Sequence, residues 1–564
     1  MQFIIKTVVR LSLFLLPLAS LSQSSYLPQS HKHRQLLDRL EIRLQNYSGL
    51  NISTVQPLSR RTGVQLVEYA DSMQQTNGGG IFTKMDEQNM QQFLMNNSEW
   101  VSGDKSAFES SKSIWNTFYR TKANLLEVDE KDFFLAINPV IQQQQSAGKD
   151  ENERVFLNSK GLSFRGLIAE RVGFSGFITD NQERPPLFAA EWVREREAVP
   201  GVGRYKRFKN TAFDYFDARG SIHFTAAKYL DFQFGYDKNF VGSGYRSLLL
   251  SDFGNSYLFL KINTRIWKLN YQNIFMELTP QFPKSRMGDR LLDKKYAVTH
   301  HLSVNATRWL NLGLFESVVF GRKNHFDFTY LNPVMFLRVA EQQNGSADNA
   351  IVGFDFKANV ARTFQFYGQL MLDEFKLNEI RSSKGWWANK YGIQLGGKYI
   401  NAFTIPNLDL QGELNFVRPF SYSHHDSISN YTHYNQPLAH PLGANFREAI
   451  AIARYQPHHK ITASARLIFW EKGVDTAGAN LGGDIFRLNT SRRSDYGYEL
   501  AGGGKGRGIN TQLLVSYELK ENLFIDGSLL IRKWRVEDQL LQNRNTTLAT
   551  IGLRMNVSRR EYDY

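Results

Sequence analysis

The sequence predicts an all-β transmembrane barrel of about 18 antiparallel strands, preceded by a small helical region. Three observations carry this reading. From about Asp132 onward, hydrophobicity alternates with a period of two. Tight connections and long polar ones alternate along most of that stretch, which is the loop pattern of outer-membrane barrels. The composition excludes a polytopic helical membrane protein. Hydrophobic residues make up 42% of the 564, and mean hydropathy is −0.40. Past the N-terminus no run approaches the ~20 apolar residues that a helical span needs. Aromatics are high at 13%, with 41 Phe and 25 Tyr, as suits aromatic girdles.

Residues 1–22 read as a secretory signal. Lys6 and Arg10 precede an apolar stretch at 11–21 that is too short to span a membrane. Ser20 and Ser22 offer small side chains before Gln23. No cysteine follows, which excludes lipoprotein processing, disulfides and thiolate chemistry.

Residues 23–130 are expected to form a helical region on the periplasmic side. In "HRQLLDRLEIRL", Leu36, Leu37, Leu40 and Leu44 fall at helical spacing. In "TGVQLVEYADSM", Val64, Val67, Ala70 and Met73 do the same. "NMQQFLM" and "SIWNTFY" add Met90, Phe93, Leu94, Ile114, Trp115 and Phe118 as short amphipathic helices. "NGGG" at 77–80 breaks the chain between two of these.

Residues 131–564 are assigned to the barrel. In "RIWKLNYQNIFMEL" (265–278), Trp267, Leu269, Tyr271 and Phe275 share one parity, and Lys268, Asn270 and Gln272 share the other. In "ITASARLIFW", Leu467 and Phe469 oppose Ser464 and Arg466. In "NLFIDGSLLIRKW", Ile525, Leu529 and Ile531 oppose Asp526, Ser528 and Arg532. In "TLATIGLRMNV", Ile551, Leu553 and Met555 oppose Thr550 and Arg554. Tight turns are expected at 169–172, 227–230, 307–310, 361–364, 456–459 and 520–523. Long connections are expected at 182–212, 277–296, 323–348, 376–388, 420–445 and 472–508. The connection near 399–406 fits the alternation least. An even strand count returns the chain to the periplasmic side, and "RREYDY" leaves almost nothing over after closure. A soluble sandwich would need paired core faces and short edge strands, so the apolar face is assigned to lipid.

The net charge of +14 is compatible with an anionic partner or with scattered solvated charge. Export argues against nucleic acid and for acidic polysaccharide or lipopolysaccharide.

The stretch "FVGSGYRSLLLSDFGNSY" resembles the capsule-assembly Wzi family of outer-membrane barrels. So do "HHLSVNATRWLNLGLFESVVFG", "YLNPVMFLRVAEQ" and "YGQLMLDEFKL", in the same order over about residues 210–376. "NSKGLSFRGLIAERVGFSGFITDNQ" and the terminal "YDY" are similar to the RemB-like gliding-motility relatives. The resemblance implies an 18-stranded barrel with a periplasmic helical part, in the outer membrane. It further implies a non-enzymatic role in binding or organising capsular or other extracellular polysaccharide. The RemB-like branch implies instead an accessory to gliding motility or adhesion, with protein partners in surface export or motility machinery. A diffusion porin and a barrel hydrolase are the remaining alternatives, and no catalytic constellation assembles from the sequence.

Gly242 and Gly244 read as a turn at the extracellular mouth, not a phosphate loop, since no Lys-Ser/Thr follows. Arg246 is a candidate contact for an anionic sugar, or else a lumen ion pair with Asp252, Glu316 or another acid. Asp373 and Glu374 are adjacent in a strand end and so point to opposite faces, which excludes them as an acid/base pair. His424, His425, His433 and His440 crowd one loop without specific metal spacing, and read as solvated loop histidines. No metal or cofactor is expected. Trp386, Trp387, Tyr391, Tyr422 and Tyr431 are candidates for stacking on sugar rings, or else belong to the outer aromatic girdle. "AGGGKGRG" at 501–508 reads as a mobile basic loop tip.

Overall fold

The computed structural model describes residues 25–27, 31–45, 54–149, 151, 153–169, 171–282, 291–334, 336–343, 345, 348–476, 478–537 and 543–564. The signal sequence read at 1–22 lies outside the described residues.

Three helices form the N-terminal region: α1 (Arg34–Leu44), α2 (Arg60–Thr76) and α3 (Lys84–Met95). Their apolar stripes meet in one core of Leu36, Leu40, Leu44, Val64, Val67, Ala70, Met90, Phe93 and Leu94. Thr83 and Asp86 form a capping box at the start of α3, each side chain taking the other's backbone N–H. Gly78, Gly79 and Gly80 all adopt positive φ and end α2. "SIWNTFY" is not a helix. It is a tight hairpin in which Ile114 bridges Phe118, because Trp115 and Asn116 take left-handed φ values of 52° and reverse the chain.

Among the described residues, eighteen long antiparallel strands close into a barrel. The first nine are β1 (Phe133–Lys149), β2 (Val155–Ile168), β3 (Val172–Arg184), β4 (Ala212–Ala227), β5 (Leu230–Asp237), β6 (Tyr257–Ile266), β7 (Leu269–Leu278), β8 (Lys295–Asn305) and β9 (Leu310–Phe320). The others are β10 (Asn349–Val360), β11 (Phe364–Glu374), β12 (Lys390–Tyr399), β13 (Leu408–Val417), β14 (Phe446–His458), β15 (Ile461–Val474), β16 (Gly504–Lys520), β17 (Leu523–Val536) and β18 (Arg544–Met555). Closure pairs β18 with β1, from Thr547 opposite Lys149 to Met555 opposite Ile141. A short strand, Leu126–Glu130, continues the wall below β18 by pairing with the start of β1.

The alternation is realised strand by strand. In β16, Ile509, Leu513, Val515 and Tyr517 are exposed on the outside, while Asn510, Gln512, Ser516 and Glu518 are buried inside. Ile525, Ile551, Leu467 and Phe469 continue the apolar belt. No described helix is long and apolar enough to cross a membrane. The apolar belt on the outer face of the strands marks them as the spanning elements. Trp267, Trp309, Tyr229 and Phe403 stand exposed at the tight turns, as an interfacial girdle requires. This is an outer-membrane barrel.

The turn expected at 456–459 lies two residues later, because β14 runs to His458. The stretch at 501–508 is only partly a loop tip. From Gly504 it is β16, and Arg507 pairs with Glu471 of the neighbouring strand.

Ion pairs clasp the helical region to the tight-turn end of the barrel. Arg39 is buried between Asp86 at 2.6 Å and Asp409, and also reaches Asn401. Lys398 meets Asp38 at 2.9 Å, Arg165 meets Glu99 at 2.9 Å, and Lys357 meets Glu41. The clasp caps the tight-turn mouth of the barrel.

Candidate functional site

The lumen is filled by three pieces of chain. The first is the connection between β5 and β6. It does not form a turn at the outer mouth, as expected of Gly242 and Gly244. It descends until Phe240 and Val241 pair with Val55 and Gln56 of the helical region. Leu248, Leu249 and Leu250 are fully buried among Phe259, Phe315, Ile351 and Met371 of the wall. Glu413 accepts the backbone N–H of Tyr245 at 2.6 Å and of Arg246 at 3.0 Å. A Cβ on Gly244 would stand 2.5 Å from that carboxylate, so the close approach needs glycine here.

The second piece is the connection at 418–445. Tyr422 and Tyr431 are not surface aromatics of this loop. Both are 1% exposed, stacked at 5.8 Å, and donate their hydroxyls to the carbonyls of Leu248 and Leu249. Of the loop histidines only His425 is exposed to solvent, as expected. His424, His433 and His440 are buried, and His440 bonds Glu448 at 2.7 Å. Among the described residues no group of three or more His, Asp or Glu is placed to hold a metal. Asp373 faces inward and accepts the N–H of Tyr422. Glu374 is far more exposed, but a bulge at this point lets Lys390 reach both acids.

Burial pushes His433 down to about 4, with Lys295 adding to the shift. Its neutral Nδ1 accepts the Thr279 N–H at 3.0 Å. Burial likewise pushes His424 down to about 4. The folded loop favours the neutral rings, so their contribution is complete above the free value near 6.5 and declines as pH falls toward 4. The expected result is that protease sensitivity of 418–445 is flat from pH 8 to 7 and rises several-fold from 6.5 to 4. His433→Asn should flatten that rise.

The third piece follows β18. The nine residues at 556–564 are not a trivial remainder after closure. They turn back into the lumen. Tyr562 donates to Glu183 at 2.5 Å, and Arg560 donates to the Pro200 carbonyl. Asn510 donates to the Tyr562 carbonyl. Tyr564 packs against Phe188, Trp192 and Phe253. Arg246 sits here, 7% exposed, with Asp563 at 3.2 Å and Glu448 at 3.7 Å. Its partners are therefore neither Asp252 nor Glu316, and Glu316 lies on the outer wall. Arg466 meets Glu561 at 2.8 Å. Despite burial, which raises it, the two guanidiniums hold the Asp563 carboxyl down at about 2. Sequence offered one signal for this filling. The Leu248–Leu250 run breaks the alternation, as a segment buried on all sides does.

With the lumen occupied, the accessible chemistry lies on the extracellular rim. The connection 375–389, with its short helix α6 (Leu377–Ser382, counting α4 as Leu187–Arg196 and α5 as Leu337–Gln343), rises beside the segment 487–500. Backbone bonds lace the two: Trp387 to Asp495 at 3.0 Å, Gly497 to Lys384 at 2.9 Å and Tyr498 to Gly385 at 3.0 Å. Gly385 has φ +67°, and a Cβ there would meet the Tyr498 backbone at 2.7 Å. Arg418 ties the base by donating to the carbonyls of Trp386, Asn389 and Tyr498.

On this crest Trp386 and Trp387 are half-buried, their rings 6.3 Å apart. Lys376 lies over Trp386 at 4.7 Å and Arg492 over Trp387 at 4.0 Å. Tyr496, Phe375, Lys384, Arg381 and Arg493 are exposed around them. Tyr391 is separate, sharing the outward parity of Ile393 and Leu395 on β12. Flat aromatic faces bordered by cations can stack on sugar rings and pair with their carboxylates. Arg492 and Tyr496 were not legible as part of a site, because loops over a hundred residues apart come together only in the fold, and Lys376 was not because nothing in a loop's sequence says that its residues ten apart will meet.

No protein-family model matches the chain, and no curated protein matches it. Among solved structures it is similar to Wzi of Escherichia coli, described as an outer membrane protein involved in group 1 capsule assembly and a carbohydrate binding β-barrel. The identity is 13%, the TM-score 0.54, and the match covers 96% of this chain and 100% of that one. OprD of Pseudomonas aeruginosa matches 75% of this chain and 95% of its own at 11% identity and TM-score 0.41. OccAB4 of Acinetobacter baumannii matches 76% and 98% at 8% identity and the same score. At these identities the likeness to Wzi establishes a shared fold.

Proposed function

We propose that this protein is a non-enzymatic outer-membrane barrel that binds acidic surface polysaccharide on its extracellular crest. The observation that carries the reading is the pair Trp386 and Trp387, each overlaid by a cation, on a rim above a filled lumen. The fold shared with a barrel described as carbohydrate binding supports it. A filled lumen favours a platform over a pore. The net charge of +14 suits a polymer with carboxylates.

The test is calorimetric titration of the purified full chain with an oligomeric polyuronate, against a neutral glucan of equal length. The expected result is binding of the polyuronate alone, weakening with added salt. Trp386→Ala and Lys376→Ala should each weaken it about 3–10-fold, the worth of one stacking or cation contact. Absence of polyuronate binding, or binding indifferent to both substitutions, overturns the proposal.

A further inference from the structure

The described part of the connection between β9 and β10 (321–334, 336–343, 345 and 348) does not stand above the mouth. It folds down over the outer wall. Tyr330 and Leu337, at 0% and 1% exposure, pack on Phe275, Tyr296, Val298, Val318, Phe320 and Ala350. The outward parity of these wall residues is fixed by register. Val318 and Phe320 share a face with Leu314, which is 51% exposed to the outside. On that same face His300 and Glu316 stand opposite each other and pair at 3.0 Å.

Glu316 also accepts the backbone N–H groups of Phe336 at 2.7 Å and Leu337 at 2.8 Å. Asn273 donates to the Pro333 carbonyl, Tyr330 donates to Asp348 at 2.6 Å, and Arg322 pairs with Asp348 and Asp327. The segment is therefore clamped to the wall. Glu316 lies four residues below the end of β9, about 13 Å down the strand at ~3.3 Å per residue. Its register partner on β10 is Val352, which belongs to the exposed apolar belt. The clamped segment thus shields the hydrogen-bonded Glu316–His300 polar pair at a height where the neighbouring wall meets hydrocarbon, which cannot solvate it.

The outer face of the segment is apolar. Phe328 is 77% exposed, Phe336 71%, Val334 60% and Val339 53%. Arg338 and Lys323 are exposed alongside. So large an exposed apolar surface marks an interaction site, and it is continuous with the belt at Leu314 and Val352.

We infer that residues 326–334 and 336–343 form a membrane-embedded strap, whose apolar face contacts the acyl chains of the outer leaflet while covering the Glu316–His300 pair. The strap fixes the barrel's depth and rotation in the lipid, with its Arg338 and the preceding Lys323 at the level of the lipid phosphates.

The chain has no cysteine, so one introduced cysteine is the sole labelling site. Phe336→Cys, Phe328→Cys and Val334→Cys would each carry a nitroxide in the full chain, reconstituted in phosphatidylethanolamine–phosphatidylglycerol vesicles. Leu314→Cys serves as the belt reference and Tyr496→Cys as the solvent reference. All five positions are exposed, so labelling tests placement without emptying the core. The expected result is that the strap labels collide with oxygen more than with a water-soluble nickel chelate, as Leu314→Cys does. Nickel access matching that of Tyr496→Cys overturns the inference, and access to neither relaxant does so too.

Discussion

Replacing Arg246 with alanine is expected to dislodge residues 559–564 from the lumen. The guanidinium stands between Asp563 and Glu448, and none of the three side chains exceeds 10% exposure. Removing it leaves two carboxylates buried with one cation fewer. Breaking a buried pair from one side costs about 3–5 kcal/mol, more than the pair itself contributes, because the stranded charges are not solvated. Arg466, which bonds Glu561 and lies 4.0 Å from Asp563, offsets part of this. The check is hydrogen exchange at 556–564, expected to rise by two or more orders of magnitude while the strands stay protected. Because Asp563 is held at about 2, the wild-type segment should keep its protection as pH falls from 7 to 4 and lose it only on approach to 2.

The second large effect is expected at Arg39. Its substitution by alanine strands Asp86 and Asp409, both nearly fully buried. Asp86 also holds the capping box of α3, so the loss reaches the helix start as well as the clasp. A cost of ~3–5 kcal/mol is expected on the same argument. The helical region should then become protease-sensitive in detergent while the barrel stays intact. Lys398 with Asp38 and Arg165 with Glu99 remain, so the region should loosen without leaving the barrel mouth.

These two sites differ in how they could be read from sequence. Strands such as β16 and β17 were legible because one face meets lipid and the other a polar interior, which imposes a strict period of two. The same physics hid the lumen filling. Residues 240–251 and 556–564 lie inside the barrel with no lipid-facing side, so no period marks them, and many of their partners come from distant strands. The strap was read as a plain loop for the same reason, since its fit to Glu316 exists only in three dimensions. "SIWNTFY" looked helical because Ile114, Trp115 and Phe118 fall at helical spacing, yet two left-handed residues turn the chain. His424, His433 and His440 looked solvated, as His425 is, because a polar loop usually is, and here the loop is a plug. Of the candidate residues, the Trp386–Trp387 pair was visible as exposed aromatics near cations. The specific cations over them were not.

The account rests on a barrel whose interior is filled, so that its work is done on its surface. Planar-bilayer recording of the purified full chain tests this most directly. A filled lumen predicts a silent membrane, with no stable current steps at neutral pH. Steady ohmic steps at the same pH would mean an open pore, and would contradict the platform reading.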